Sequence, residues 1–280
     1  MYDRVADLPL TVERVETKRH ERGTTSGFTR VSTEVVLHGD GATGRGEDVT
    51  YDAVDHDRYD PADLPLAGDY ATFDDVAAHL DTVDLFPEPP EREASRHYRR
   101  WAVESAALDL ALRQADTDLG AVLDRDYEPL RFVVSTALGG EGDAPSIDPV
   151  RRLLDTDPDL EFKLDPTGDW DEDLFGELAA TDAVRVLDLK SFYEGTDVDN
   201  PADPDLYERV FETFPDAVVE DARATDRTRD LLDANRERLS WDYPITGIES
   251  IENLPYEPRW LNIKPSRFGT VESLLESLEY

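Results

Sequence analysis

Five charged residues that end successive apolar segments are of the types needed for metal-assisted acid–base chemistry. In chain order they are Lys163, Asp188, Glu220, Asp242 and Lys264. Three carboxylates supply the hard oxygen ligands that Mg²⁺ or Mn²⁺ prefers. A carboxylate substrate chelated by such an ion has a more acidic α-proton, because the ion stabilises the enediolate that forms when the proton leaves. A desolvated lysine beside the cation has the lowered pKa that a base requires, so these residues predict a metal site flanked by two acid–base lysines.

Lysine is scarce in this chain, which makes each lysine informative. Only four of the 29 basic residues are lysines, namely Lys18, Lys163, Lys190 and Lys264. A single aspartate after a strand is most often an ordinary loop charge in so acidic a chain. The order Lys, Asp, Glu, Asp, Lys on consecutive segments is much less expected by chance, and it uses half of the lysines.

The segments that carry these residues form a repeat of strand-like and helix-like patterns. Strand candidates begin every 21 to 33 residues and alternate with segments of helical period, which is the spacing of a parallel β/α sheet. In β/α barrels the active site is built at the carboxyl ends of the strands, so charge at those ends favours a barrel over an open sheet. The strand candidates are 131–138, 160–165, 184–190, 217–221, 239–242 and 260–264.

The first 127 residues follow a different pattern. Apolar and polar side chains alternate through residues 10–51, which predicts a β-meander, and the period becomes helical from 91 to 114. We therefore predict an α+β domain over 1–127, including the long helix, followed by a β/α domain over 128–280. The glycine-bearing stretch Glu21–Phe28 could be a lid over the barrel mouth or an ordinary hairpin loop.

Gly39, Gly41 and Gly44 match the spacing of a dinucleotide-binding loop. The residues that follow do not open a helix, so no helix amino terminus is available for a pyrophosphate. A hairpin turn is the better interpretation of this stretch.

Together these motifs resemble the enolase superfamily, closest to its mandelate racemase and muconate lactonizing branches. FKLD, VLDLK, VVED, SWD and NIKPSRFG stand where that family has a Lys-x-Lys motif, three metal ligands and a further lysine, and WAVESAALDLALRQ resembles its long connecting helix. The resemblance implies an α+β capping domain followed by an enolase-type (β/α) barrel. It also implies a lyase or isomerase that abstracts a proton next to a carboxylate, giving dehydration, cycloisomerisation or racemisation.

Two residues depart from the family pattern near the predicted site. Glu161 replaces the first lysine of the Lys-x-Lys motif, so Lys163 lacks a cationic neighbour, and we favour elimination or cycloisomerisation over racemisation. Lys190 stands where the family often has asparagine. It could bind a substrate carboxylate, act as an additional acid, or form a salt bridge to Glu194 or Asp165.

The carboxyl-terminal stretch raises two further expectations. Ser266 and Arg267 could help to hold an anionic group, although Arg267 could equally pair with a surface acid. The sequence ends at Tyr280, after a helix that follows the sixth strand, so the last two β/α units are not in it. Because a barrel must close to remove its edge strands, we expect a longer chain, or else a second chain, to supply them.

Composition limits the classes of partner and the setting. The formal net charge of −36 repels phosphate, so we exclude nucleic-acid and membrane-surface roles and expect a small carboxylate substrate. Such self-repulsion is tolerable mainly in concentrated salt, which predicts a halophilic source. Zero cysteines exclude disulfides and thiolate chemistry. No signal or membrane segment is visible, so a cytoplasmic protein is expected. We also expect a homo-oligomer.

Two other functions stay open from the sequence. Lys264 could form a Schiff base with a carbonyl substrate in a barrel aldolase. Alternatively, the chain could be a catalytically inactive barrel that serves as a scaffold or binding module.

Overall fold

The protein divides into two compact units. The computed structural model describes residues 1–23, 29–58, 64–139, 144–196 and 198–280. The first unit comprises 1–128, 246–249 and 264–280, and the second comprises 129–245 and 250–263. The division after residue 128 is next to the predicted domain boundary. Most of the stretch Glu21–Phe28, considered above as a lid, lies outside the described residues.

An antiparallel sheet and one long helix form the centre of the first unit. The strands β2 (Arg14–Gly23), β3 (Thr29–Gly39) and β4 (Ala42–Asp48) pair in chain order, and β4 packs closely on α4 (Ser95–Gln114). A Cβ atom added at Gly44 would lie 2.2 Å from a backbone oxygen of α4, so only glycine allows this approach. The smaller elements are α1 (Asp3–Ala6), β1 (Leu10–Val12), α2 (Ala53–Asp57), β5 (Gly68–Tyr70), α3 (Phe73–Leu80) and α5 (Leu119–Leu123).

The first two glycines of the G-x-G-x-x-G spacing lie at a two-residue β-hairpin turn. Gly39 pairs with Ala42 across the ladder between β3 and β4. The two residues between them, Asp40 and Gly41, have positive φ values of 46° and 73°. Positive φ at both central positions is the requirement of a type I′ turn, so the predicted hairpin is confirmed.

Helix α4 forms because its small and apolar residues recur at helical spacing. Its buried face packs into the core of the unit, together with β3 and α3. The same helix carries arginine and glutamate between its alanines, and no helix in the described part of the chain is both long and apolar enough to cross a membrane. The fully buried apolar residues of α4 are Ala102, Val103, Ala106, Ala107, Leu110 and Ala111.

The carboxyl-terminal segment, residues 264–280, packs in the first unit. Helix α11 (Val271–Glu279) begins at the N-cap Thr270 and adds Val271 to the core of this unit. The backbone N–H of Val271 donates to Oε1 of Glu104 at 2.8 Å, and Nδ1 of His97 donates to the carbonyl oxygen of Arg267 at 2.7 Å. Both partners lie on α4, so this segment packs within the first unit.

A six-stranded parallel sheet forms the centre of the second unit. Its strand order follows the chain order, and each strand falls within a predicted strand segment. The strands are β6 (Val134–Ser135), β7 (Phe162–Leu164), β8 (Val184–Asp188), β9 (Val218–Glu220), β10 (Leu239–Trp241) and β11 (Trp260–Leu261). The helices that follow them are α6 (Asp148–Leu154), α7 (Glu172–Ala179), α8 (Pro204–Thr213), α9 (Arg229–Asn235) and α10 (Ile248–Glu252).

Parallel register places the ends of neighbouring strands side by side. Leu187 pairs with Val219, and Asp188 pairs with Glu220. Side chains alternate between the two faces of a strand, so paired residues lie on the same face. The register therefore brings the charged strand ends together.

Candidate metal centre

Three buried carboxylates meet at the carboxyl ends of three neighbouring strands. Asp188 ends β8, Glu220 ends β9, and Asp242 follows β10 directly. One oxygen atom from each lies within 4.8 Å of the others, and the three residues are only 1–3% exposed. The structure thus brings together the three residues that were predicted as metal ligands, which we call the acidic triad.

The acidic triad is suited to a hard divalent cation. Burying like charges together is unfavourable unless a cation compensates them. Burial raises the pKa of Glu220 to about 7, an effect that the neighbouring Asp188 and Asp242 strengthen and the Lys163 ammonium opposes. Oxygen donors at this spacing fit Mg²⁺ or Mn²⁺, which take carboxylate ligands.

Lys163 on β7 points its ammonium group at the acidic triad. Its Nζ lies 3.1 Å from Oδ2 of Asp188 and forms an ion pair with Glu220 as well. Burial lowers the pKa of Lys163, but the two carboxylates outweigh burial and raise it above its ordinary value. The group is therefore held as an ammonium in contact with two of the three triad residues.

Glu161, which replaces a lysine of the family motif, belongs to a separate ion-pair cluster. Its carboxylate pairs with Arg131, which precedes β6, and accepts from Nε of Arg185 on β8 at 2.7 Å. Hydrogen bonds from Arg131 and Arg185 lower the pKa of Glu161 to about 2. These partners lie near the amino ends of the strands, whereas Lys163 reaches the carboxyl ends. Glu161 therefore forms salt bridges with Arg131 and Arg185 that are separate from the acidic triad.

Lys190 is a second ammonium group at the acidic triad. Its Nζ lies 2.7 Å from Oδ2 of Asp188 and 3.5 Å from Oδ2 of Asp165. Its backbone has a φ of 50°, a left-handed conformation that is uncommon outside glycine. Of the two salt bridges considered from the sequence, the one to Asp165 is present, whereas Glu194 pairs with Arg223. The contact with Asp188 was not anticipated.

The sequence interpretation missed two polar residues that touch the acidic triad. Nδ2 of Asn262 donates to Oε2 of Glu220 at 3.2 Å. Asp221, fully buried, accepts from the backbone N–H groups of Asp242 at 2.9 Å and Tyr243 at 3.0 Å. Burial raises the pKa of Asp221 to about 6, although these N–H groups oppose the shift. Asp221 lies in the quoted motif VVED and Asn262 in NIKPSRFG, so the only sequence signal for either residue is its place beside a predicted site residue.

The remaining predicted site residues lie on the segment that packs in the first unit. Lys264 precedes a 3₁₀ turn, Pro265–Arg267, that contains Ser266. The side chain of His97 holds the carbonyl group of Arg267. The roles assigned to Lys264, Ser266 and Arg267 stay predictions from the sequence.

Comparison with sequence families covers almost the whole chain. Residues 3–122 match the N-terminal domain, and residues 126–280 the C-terminal domain, of a domain of unknown function, DUF8230. A search of curated proteins finds no significant match.

Comparison with solved structures finds proteins of the enolase superfamily. A dipeptide epimerase from Methylococcus capsulatus, complexed with a Mg ion, has a TM-score of 0.69 at 17% identity, over 96% of this chain and 79% of that one. The muconate lactonizing enzyme from Pseudomonas putida has a TM-score of 0.61 at 16% identity, over 96% and 77%. An enolase-superfamily member from Listeria innocua has a TM-score of 0.62 at 15% identity, over 96% and 75%. At these identities the likeness shows the fold, and the predicted α+β cap followed by an enolase-type (β/α) barrel is confirmed.

Proposed function

This chain belongs to the DUF8230 family, and from the geometry of its acidic triad we propose that it is a divalent-cation-dependent enzyme acting on a small carboxylate substrate. The proposed reaction is abstraction of the α-proton through an enediolate. The carrying observation is that Asp188, Glu220 and Asp242, buried and from three successive strands, bring their oxygen atoms within 4.8 Å of one another.

The acidic triad would hold Mg²⁺, or Mn²⁺. When bound, the cation supplies positive charge that stabilises the carboxylate oxygens of the substrate as the α-proton leaves, and that lowers the pKa of a neighbouring lysine. Asn262 keeps one oxygen of Glu220 in place through its hydrogen bond of 3.2 Å. The strand ends that carry the triad are held by the ladder of the parallel sheet.

Lys163 is the proposed acid–base residue for one face of the substrate. Its ammonium already contacts two triad carboxylates, so a substrate bound there would have its α-carbon near Nζ. Lys264 is proposed for the opposite face, on the basis of its place in the sequence order. A compact ammonium with an adjustable pKa can exchange a proton, which a guanidinium cannot do near neutral pH.

The fold supports the proposed class of reaction. The proposed reaction is dehydration, cycloisomerisation or racemisation, and the shared fold of a dipeptide epimerase and a muconate lactonizing enzyme supports an isomerase-type chemistry. Lys190, Ser266 and Arg267 are proposed to bind the substrate anion. We further propose a homo-oligomer that works in a salt-rich cytoplasm, which agrees with a net charge of −36.

Calorimetric titration with Mg²⁺ and Mn²⁺ in concentrated salt tests the metal site. We expect one site in the protein, lost in Asp188→Asn and in Asp242→Asn, and retained in Asp203→Asn. Asp203 is the matched control because its carboxylate accepts from two backbone N–H groups at the start of α8. Equal binding in all four proteins would rule out the triad as the ligand set.

Exchange of the substrate α-proton in deuterated solvent tests the chemistry. A panel of acid sugars and dipeptides, followed by NMR, should give cation-dependent exchange for at least one member and none in Lys163→Met. Trapping of a carbonyl substrate on Lys264 by borohydride, insensitive to EDTA, would support the aldolase instead. The absence of both exchange and cation binding would favour a scaffold.

A further inference from the structure

Asp221 is a buried carboxylate next to the acidic triad that the proposed chemistry does not use. It follows Glu220 directly and is fully buried. Its Oδ1 accepts from the N–H of Asp242 at 2.9 Å, and its Oδ2 accepts from the N–H of Tyr243 at 3.0 Å. The side chain that follows one triad residue therefore holds the backbone of another.

The backbone of Asp221 also forms hydrogen bonds to β10 and to the segment after β8. Its N–H donates to the carbonyl oxygen of Ser240 at 3.0 Å, and its carbonyl oxygen accepts from the N–H of Ser191 at 3.3 Å. A φ of 54° turns the chain at this residue, so β9 ends and the side chain can reach the turn after β10. Asp221, the first residue after β9, thus contacts the segments that follow β8 and β10.

The position is electrostatically unfavourable for an acid. A buried carboxylate beside Asp188, Glu220 and Asp242 adds like charge where solvent cannot screen it. The left-handed backbone conformation adds strain in a residue other than glycine. The compensating interactions are charge-assisted hydrogen bonds to two consecutive backbone N–H groups, which fix residues 242 and 243.

We propose that Asp221 is a positioning residue that holds the backbone at Asp242 and so keeps the third carboxylate of the triad at binding distance from Glu220. This inference rests on the proposed metal site. It assigns to Asp221 no contact with the cation or the substrate. Asp221 would set the distance between the carboxylates of Glu220 and Asp242, which come from adjacent strands.

Two substitutions separate positioning from charge. Asp221→Ala removes both acceptors, and we expect Mn²⁺ affinity to fall by about tenfold or more, as for other residues that orient metal ligands. Asp221→Asn keeps an Oδ1 that can accept from the N–H of Asp242 but removes the negative charge. We expect Asp221→Asn to bind within about threefold of the unchanged protein. Calorimetry with Mn²⁺ on the full chain in concentrated salt measures both values.

Asp203→Ala is the matched control, because it also removes an acid that accepts from two backbone N–H groups in the second unit. Its Mn²⁺ affinity should not change. The proposal is wrong if Asp221→Ala binds as tightly as the unchanged protein, if Asp221→Asn binds as weakly as Asp221→Ala, or if Asp203→Ala weakens binding equally.

A readout without the cation separates this proposal from the proposed function. Amide hydrogen exchange of a peptide spanning residues 240–245, in EDTA, should be faster in Asp221→Ala than in Asp203→Ala or the unchanged protein. If the unchanged protein binds no cation, the metal site fails while faster exchange still shows that Asp221 fixes this turn. Unchanged exchange overturns the positioning role whatever the cation result.

Discussion

Each unit of the protein buries a cluster of charged residues, and the two clusters are balanced differently. In the first unit, Arg99 and Asp48 are 1% and 0% exposed, and Nε of Arg99 donates to Oδ2 of Asp48 at 2.9 Å. The two terminal nitrogens of Arg99 donate to the carbonyl oxygens of Leu85 and Asp55, at 2.9 and 2.7 Å. The guanidinium group of Arg99 thus donates hydrogen bonds to one carboxylate and two carbonyl groups.

Hydrogen bonds to Thr50, His56 and Thr33 extend the first cluster. Oδ1 of Asp48 accepts from the N–H of Thr50 at 2.9 Å. His56 lies between the carbonyl oxygen of Thr50, 3.0 Å from Nε2, and the hydroxyl group of Thr33, 2.9 Å from Nδ1. The single buried carboxylate of Asp48 is matched by the single guanidinium of Arg99, so this cluster is a balanced structural ion pair.

The cluster of the second unit carries an excess of acid. The three triad carboxylates and Asp221 are buried together, and the ammonium groups of Lys163 and Lys190 both contact the same oxygen of Asp188. The comparison indicates that charge balance, more than burial, distinguishes a structural ion pair from a cation site.

Removal of Arg99 should produce the largest effect. Arg99→Met leaves Asp48 buried without its cation, and we expect a loss of about 3–5 kcal/mol in the free energy of unfolding, measured by urea titration in concentrated salt. Arg92→Met is the control, since Arg92 pairs with Asp52 at 2.7 Å with its side chain 54% exposed, and it should lose less than about 1 kcal/mol. Equal losses would show that burial of the first cluster contributes no special stability.

Cation binding should stabilise the second cluster by a smaller amount. At a Mn²⁺ concentration about 100 times Kd, the free energy of unfolding should rise by about 2.7 kcal/mol, because the folded state alone holds the triad together. Tryptophan fluorescence reports mainly on this unit, which contains three of the four tryptophans, Trp170, Trp241 and Trp260. Asp242→Asn should abolish the increase. An equal increase in that variant would place the binding elsewhere.

The acid excess also predicts a pH dependence in EDTA. Because burial raises the pKa of Glu220 to about 7, its protonated form favours folding. That contribution is complete below the ordinary carboxyl pKa near 4.5 and is lost as the pH rises through 7. Glu220→Gln should therefore gain on the order of 2 kcal/mol relative to the unchanged protein between pH 5 and pH 8. Parallel stability curves for the two proteins would contradict the acid-excess interpretation.

The sequence predicted the strands of the second unit and their charged ends because the period of two and the repeat length are local properties. Register then places Asp188 opposite Glu220 and Glu220 opposite Ser240, two residues before Asp242. The role of Asp221 could not be predicted, since it depends on one left-handed residue that redirects a side chain to the next strand. The amphipathic pattern of α11 predicts a helix, but it does not specify which unit covers its apolar face.

Substitution of Lys190 should have the smallest effect, and it should strengthen cation binding, whereas substitutions in the triad weaken it. Its Nζ lies 2.7 Å from Oδ2 of Asp188, where a cation would also bind, so Lys190→Asn should bind Mn²⁺ about fivefold more tightly, equivalent to about 1 kcal/mol. Asparagine tolerates the φ of 50° at this position. Lys18→Asn, an equal charge change on an exposed residue of β2, should leave the affinity unaltered.

Unchanged or weaker Mn²⁺ binding in Lys190→Asn would contradict the competition and would assign Lys190 a purely structural pairing with Asp188 and Asp165. Tighter binding would mean that the chain keeps an ammonium group that weakens its own metal site. Such a group is compatible with function only if its charge is required later, when an anionic substrate enters. A loss of substrate exchange in Lys190→Asn, despite the tighter cation, would then assign that requirement to substrate binding.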